Sequence, residues 1–103
     1  MVIYNQMQDL FNQALGFDWD SGNIDKNLIK HKVTNQECEE AFFDLDAFVT
    51  EDVSHSTAEP RYQLLAKCKK RYLTIYFTYR RNKIRIISAR DMNKKEKKRY
   101  ETI

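Results

Sequence analysis

The stretch Arg71-Tyr72-Leu73-Thr74-Ile75-Tyr76-Phe77-Thr78-Tyr79-Arg80 decides the fold. Leu73, Ile75, Phe77 and Tyr79 alternate with Tyr72, Thr74, Tyr76 and Thr78, a period of two in residue types that favour strands. Successive strand side chains point to opposite faces, so one face is apolar and the other carries hydroxyls and tyrosine rings. The same period precedes it, where Tyr62, Leu64, Ala66 and Cys68 alternate with Gln63, Leu65 and Lys67. It also follows, where Ile84, Ile86 and Ser88 alternate with Arg85, Ile87 and Ala89. Lys69-Lys70-Arg71 marks a turn or strand end and Arg81-Asn82-Lys83 the next hairpin, with Asn82 tolerating a left-handed position. These segments predict an antiparallel meander, one face on a core and the other at least partly solvated.

Upstream the period changes to that of helices. Ile3, Met7, Leu10, Phe11 and Ala14 predict a helix over 2–15, either docked on the sheet or serving as a dimer contact. Phe17-Asp18-Trp19-Asp20 reads as an extended entry, and Asp20 or Ser21 is suited to cap a helix over 22–31. That helix has Ile24, Leu28 and His31 on one face and Asp25, Lys26 and Lys30 on the other. Thr34-Asn35-Gln36-Glu37 is a capping box, opening a helix with Cys38, Ala41, Phe42 and Leu45 as its buried stripe. Residues 47–53 read as a strand and Ser54 to Pro60 as a polar loop. Asn93-Lys94-Lys95-Glu96 is a second capping box, opening a last helix to about Thr102. Its cations lie nearly all round, and Tyr100 is the main apolar anchor. The expectation is one α+β domain over 1–103, with 1–16 as an N-terminal helical extension.

Composition bounds the function. The chain has 103 residues, 42% of them apolar and 32% charged, enough for a modest core under a charged surface. No apolar run approaches the ~18–20 residues of a membrane span. Two glycines, Gly16 and Gly22, exclude a glycine-rich phosphate loop. Cys38 and Cys68 make neither a disulfide scaffold nor a zinc site, and His31 and His55 are too few and too far apart to suggest a metal centre. The net charge of +3 hides a split. Residues 1–60 hold 3 basic against 12 acidic side chains, and residues 61–103 hold 15 against 3. A basic half of this size suggests an anion-binding face, with nucleic acid a leading candidate.

Among the cations of the meander, Arg61, Arg81, Lys83, Arg85 and Arg90 are the candidates for binding an anion, with Lys94 and Lys95 opening the last helix. Arginine gives planar bidentate donors to phosphate, and Tyr72 and Tyr76, four residues apart on one face of the strand, offer rings for base stacking. Arg85 and Arg90 are five apart, so an unbroken pleat puts them on opposite faces; only a bulge or the strand end near Ala89 would reunite them. Lys26, Lys30 and His31 are a smaller basic group in the acidic half, where His31 is either a proton carrier or a packing residue.

The residues Phe17-Asp18-Trp19-Asp20, Asn27, Lys30-His31, Val33, Glu40-Ala41 and Phe43-Asp44 resemble the N-terminal signature of BrnT-type toxins. Arg61-Tyr62 falls where that family places an arginine before its first meander strand. Arg85-Ile86-Ile87-Ser88-Ala89-Arg90, with Lys94-Lys95-Glu96 and Arg99-Tyr100-Glu101, is similar to its C-terminal signature, so the resemblance covers 17–101. Lys32 stands where the family often has Gly, Thr78-Tyr79-Arg80 lacks the acid of its Thr-Glu-Arg-like turn, and the first 16 residues exceed its usual start.

The resemblance implies a RelE-like α+β fold and a cytoplasmic ribonuclease toxin of a type II toxin–antitoxin module. The implied partner is a BrnA-type antitoxin that contacts operator DNA, with the toxin reaching DNA only through it and dimers forming within the complex. RNA is the implied substrate, with no cofactor, no metal and no membrane. Cleavage would proceed by attack of the ribose 2′-hydroxyl on the adjacent phosphate. Arg61, Arg85 and Arg90 would stabilise charge, His31 or Glu51 would be the base, and Tyr100 or Lys26 the acid. Arg81, Lys83, Lys94, Lys95, Tyr72 and Tyr76 would bind RNA. Two other readings remain: a non-catalytic basic module for an antitoxin or nucleic acid, and a protein whose charges only keep it in solution.

Overall fold

The computed structural model describes residues 3–4, 16–55, 58–69 and 71–102. Five strands form one antiparallel sheet in sequence order: β1 Ile3–Tyr4, β2 Phe48–Glu51, β3 Tyr62–Cys68, β4 Arg71–Arg80 and β5 Lys83–Asp91. Among the described residues three helices accompany it: α1 Lys26–His31, α2 Asn35–Ala41 and α3 Lys94–Glu101. A 3-10 turn spans Val53–His55. The α+β class and the meander agree with the sequence pattern. Arg81 and Asn82, at φ 55° and 65°, make the two-residue connection between β4 and β5. Two left-handed residues match the right-handed twist of the strands they join.

The register assigns the faces. Tyr62, Phe77 and Ile86 lie across from one another, as do Leu64, Ile75 and Ala89. With Val49, Ala66, Leu73 and Ile84 they pack on Val33, Cys38, Ala41 and Phe42 to make the core. The Phe42 ring meets Phe17 and Phe77 edge-on at 5.5 and 5.0 Å. Fully burying such a ring stabilises by about 1.5–3 kcal/mol. The other face carries a polar row, Thr50, Gln63, Tyr76 and Ser88, and beside it a mixed row, Phe48, Leu65, Thr74 and Arg90. Glu96 of α3 bonds to Thr74 and Arg90, which seats that helix on this second face.

One irregularity reorganises the basic face. Tyr76 pairs Ser88 while the next residue, Phe77, pairs Ile86, so Ile87 is an extra residue in β5. The bulge shifts the pleat by one. Arg85 opposes Thr78 and Arg90 opposes Thr74, positions four apart on β4, so both arginines lie on one face. The unbroken pleat of the sequence reading is corrected here.

The outer edge of β5 is closed by the segment before it. Ile84 exchanges backbone bonds with Gly16 and Asp18 at 2.9 and 2.8 Å. Asn23 Nδ2 donates to the Ile86 carbonyl at 3.1 Å, and the Ala89 N–H donates to Asn27 Oδ1 at 3.0 Å. This edge demand overrides the expected apolar stripe. Asn23 and Asn27 are buried, while Ile24 and Leu28 are 47% and 42% exposed. The helix also starts later than 22: its N-cap is Asp25, at φ 57° with no side-chain cap, while Asp20 accepts from the Gly22 N–H at 2.8 Å.

Further corrections are local. Ile3–Tyr4 pairs with β2 instead of starting a helix, which satisfies backbone groups on that edge. The remainder of the expected helix, 5–15, lies outside the described residues. Both capping boxes form as expected, at Thr34 with Glu37 and at Asn93 with Glu96. Leu45 leaves the stripe and is 87% exposed, because α2 stops at Ala41. The predicted strand over 47–53 gives way to the 3-10 turn after Glu51. Of the turn and strand-end readings, Arg71 takes the second and opens β4. Its Nη1 donates to the Lys32 carbonyl at 2.6 Å, and its Nε donates to Asp91 at 3.0 Å, tying the helical half to the sheet.

Candidate active site

The Asp52 N–H donates to the Arg61 carbonyl at 2.7 Å, extending the β2–β3 pairing one residue past Glu51 and Tyr62. Alternation then puts Asp52 and Arg61 on the face of Thr50 and Gln63, away from the core. Next along that row, Gln63 Nε2 donates to the Tyr76 hydroxyl at 3.0 Å. Ser88 and the bulged Ile87 form the far wall. The 3-10 turn brings Ser54 and His55 to the near wall. Together these residues line an open cleft of about 480 Å³.

Asp52 organises the near wall. Its carboxylate oxygens lie 3.1 and 3.0 Å from His55 Nδ1, and the Ser54 hydroxyl donates to it at 3.1 Å. A carboxylate only accepts, so Nδ1 carries a proton, and in the neutral imidazole the lone pair is on Nε2. Ser54 Oγ also lies 3.1 Å from Nδ1. Serine and aspartate therefore meet the same ring nitrogen, which is not the geometry of a serine hydrolase triad.

Arg90 stands one row behind Tyr76, its guanidinium 6.0 Å from the ring centroid. It donates to both Glu96 oxygens, at 2.7 and 2.8 Å. Glu96 also accepts from the Thr74 hydroxyl and the Asn93 N–H, both at 2.9 Å. Burial raises this carboxyl, but the Arg90, Asn93 and Thr74 bonds outweigh it and hold Glu96 below the usual carboxylate range. Arg85 shares the face but is turned to the sheet edge, donating to both Asp20 oxygens at 3.0 Å with Asp18 at 3.5 Å. The Arg85 bond, then the Gly22 N–H, lowers Asp20 below its ordinary range. Gly22 makes room for this pair, since a Cβ there would sit 3.0 Å from Arg85 Nη2.

The cleft thus gathers Arg61, Glu51 and Tyr76 of the residues singled out from sequence, with Arg90 adjoining. Glu51 lines it, but the pleat turns its side chain toward the Tyr62 face. Lys26 and His31 lie on α1 and are not among the cleft residues. Tyr100 is not brought there either: its hydroxyl donates to Asp44 Oδ2 at 2.7 Å, and burial with that carboxylate pushes the phenol well up. Tyr72 is covered by the Tyr100 ring at 5.8 Å and by Lys97 at 4.6 Å. Arg81 and Lys83 are exposed at the β4–β5 hairpin, and Lys94 and Lys95 are exposed on the first turn of α3. Sequence reading passed over Asp52, Ser54, Gln63 and Ser88, and weighed His55 only as a metal ligand. The usable signal was an acid three residues before a histidine, just ahead of Arg61.

A family model described as the ribonuclease toxin BrnT of type II toxin–antitoxin systems matches residues 19–96. The chain belongs to this family. The match takes in every cleft residue, the bulge and the first turn of α3. Membership of the BrnT family makes the chain a ribonuclease toxin with an antitoxin partner. No curated protein matches the chain. No helix among the described residues is long and apolar enough to cross a membrane.

Proposed function

We propose that this BrnT protein is an endoribonuclease of the cytoplasm that stops translation by cutting RNA, with the scissile phosphate held on Arg61 in the open-face cleft. Its helix-backed meander is read as RelE-like. The observation that carries the proposal is the extra Asp52–Arg61 pair, which sets a guanidinium on the polar face beside an oriented imidazole. In the reaction the 2′-hydroxyl attacks the adjacent phosphorus, the P–O5′ bond breaks, and a 2′,3′-cyclic phosphate and a 5′-hydroxyl result. This needs no metal-bound nucleophile, because the nucleophile belongs to the substrate. Arg61 offers planar donors to the crowded phosphorane oxygens, where developing charge makes such bonds strongest. Tyr76 supplies the ring on which a flanking base stacks, and Arg90 holds that ring from behind. The exposed Arg81, Lys83, Lys94 and Lys95 attract the strand on either side of the cut.

The partner in this proposal is a BrnA-type antitoxin, which covers the basic face, brings toxin dimers to operator DNA and leaves the toxin itself without a DNA contact. The test is to incubate antitoxin-free protein with RNA in the presence of chelator and analyse the ends. Cyclic phosphate ends support the proposal; intact RNA with salt-sensitive binding supports a non-catalytic basic module.

A further inference from the structure

We propose that His55 is the general base of the cleavage, taking the 2′-hydroxyl proton on Nε2 of its neutral ring, and that Asp52 is the positioning residue that holds the proton of that ring on Nδ1. The inference rests on RNA cleavage in this cleft. It starts from what the cleft contains. Transesterification needs a group that accepts the 2′ proton as O2′ closes on phosphorus. Of the bases suggested by sequence, His31 lies on α1 outside the cleft, and Glu51 sits on the pleat that faces Tyr62. The imidazole of His55 remains, in the cleft that Arg61 also lines. Its side chain is 66% exposed, so a strand entering the cleft can reach it. Asp52 meets Nδ1 with both oxygens, which fixes one tautomer and aims the lone pair of Nε2 away from its own turn. Asp52 sits on the pleat of Arg61, so one carboxylate orients the base beside the group that binds the phosphate.

The step balances without a further reactant. The 2′ O–H proton moves to His55 Nε2 as the O2′–P bond forms, and the electron pair of the P–O5′ bond leaves with O5′. Oxygen O5′ takes a proton from water, and His55⁺ returns its own to solvent. Asp52 meets the ring directly, and the other charged and titratable groups lining the same cleft are Arg61, Glu51 and the Tyr76 phenol.

The test compares two RNA substrates in single-turnover cleavage by the wild-type protein, His55→Ala and Asp52→Asn. One substrate is ordinary; the other carries sulfur in place of the bridging O5′, a leaving group that needs no proton. General-base catalysis contributes about 10²–10⁴-fold. His55→Ala is expected to lose about that factor on both substrates, to lose the rising acidic limb of the pH–rate profile, and to regain rate with added imidazole. Asp52→Asn is expected to retain the pH limb at reduced rate. Circular dichroism of each variant confirms the fold. Wild-type rate in folded His55→Ala overturns the proposal and leaves cleavage in the cleft standing. Rescue of His55→Ala by the sulfur substrate also overturns it, by making the residue the acid. A wild-type protein that cuts neither substrate removes the cleavage reading itself, and the proposal with it.

Discussion

Replacing Glu96 with Gln separates the two roles of one side chain. Glutamine serves as the third residue of a capping box, so the start of α3 keeps its local bonds. The charge that compensates Arg90 is lost. Removing one member of a fully buried ion pair costs about 3–5 kcal/mol. The Glu96 side chain is 9% exposed but that of Arg90 is 33%, so the stranded guanidinium regains part of its hydration. Discounting for that exposure leaves about 2 kcal/mol, or a fall in Tm of roughly 8–16 °C for a chain of this size. Urea unfolding at neutral pH measures it, with Asn93→Ala as the control for the cap, expected to cost about 1 kcal/mol. The pH dependence supplies a second reading. Glu96 titrates below its ordinary 4.5, so its contribution is complete above that value and is lost as pH falls through the lower folded value. The wild-type advantage over Glu96→Gln should therefore shrink on acidification. A difference under about 0.5 kcal/mol at neutral pH, or one that does not shrink in acid, would refute the role assigned to this pair.

Two further outcomes follow from the fold. Lys32 closes α1 at φ 59°, a conformation that favours glycine, so Lys32→Gly should raise stability by up to about 1 kcal/mol in urea unfolding; a loss would mean that the Lys32 side chain does more than the backbone there. Burial pushes the Cys38 thiol up to about 12 and raises Cys68 as well, so a thiol reagent should label both only as fast as the protein opens; rapid labelling of the native protein would contradict their place in the core.

The meander and both capping boxes were legible because they are local: a period of two over Tyr62–Cys68 and Leu73–Tyr79, and a cap with its acid three residues on. The bulge was not legible, since Ile87 fits an unbroken β5 equally well and only its pairing with β4 reveals the extra residue. Asn23 and Asn27 broke the helical pattern for the same kind of reason: the edge of β5, some sixty residues away, needs their amides. In the cleft, Arg61 could be singled out by its charge and place before β3. His55 could not, because its significance comes from a turn that folds it against Asp52 and toward that arginine.

The most direct test of the account is the rate and end chemistry of RNA cleavage by antitoxin-free protein, wild type against Arg61→Ala, in chelator. The account predicts 2′,3′-cyclic phosphate ends and a loss of about 10²–10³-fold for a folded Arg61→Ala. Ends of any other kind, or wild-type rate without Arg61, would contradict it.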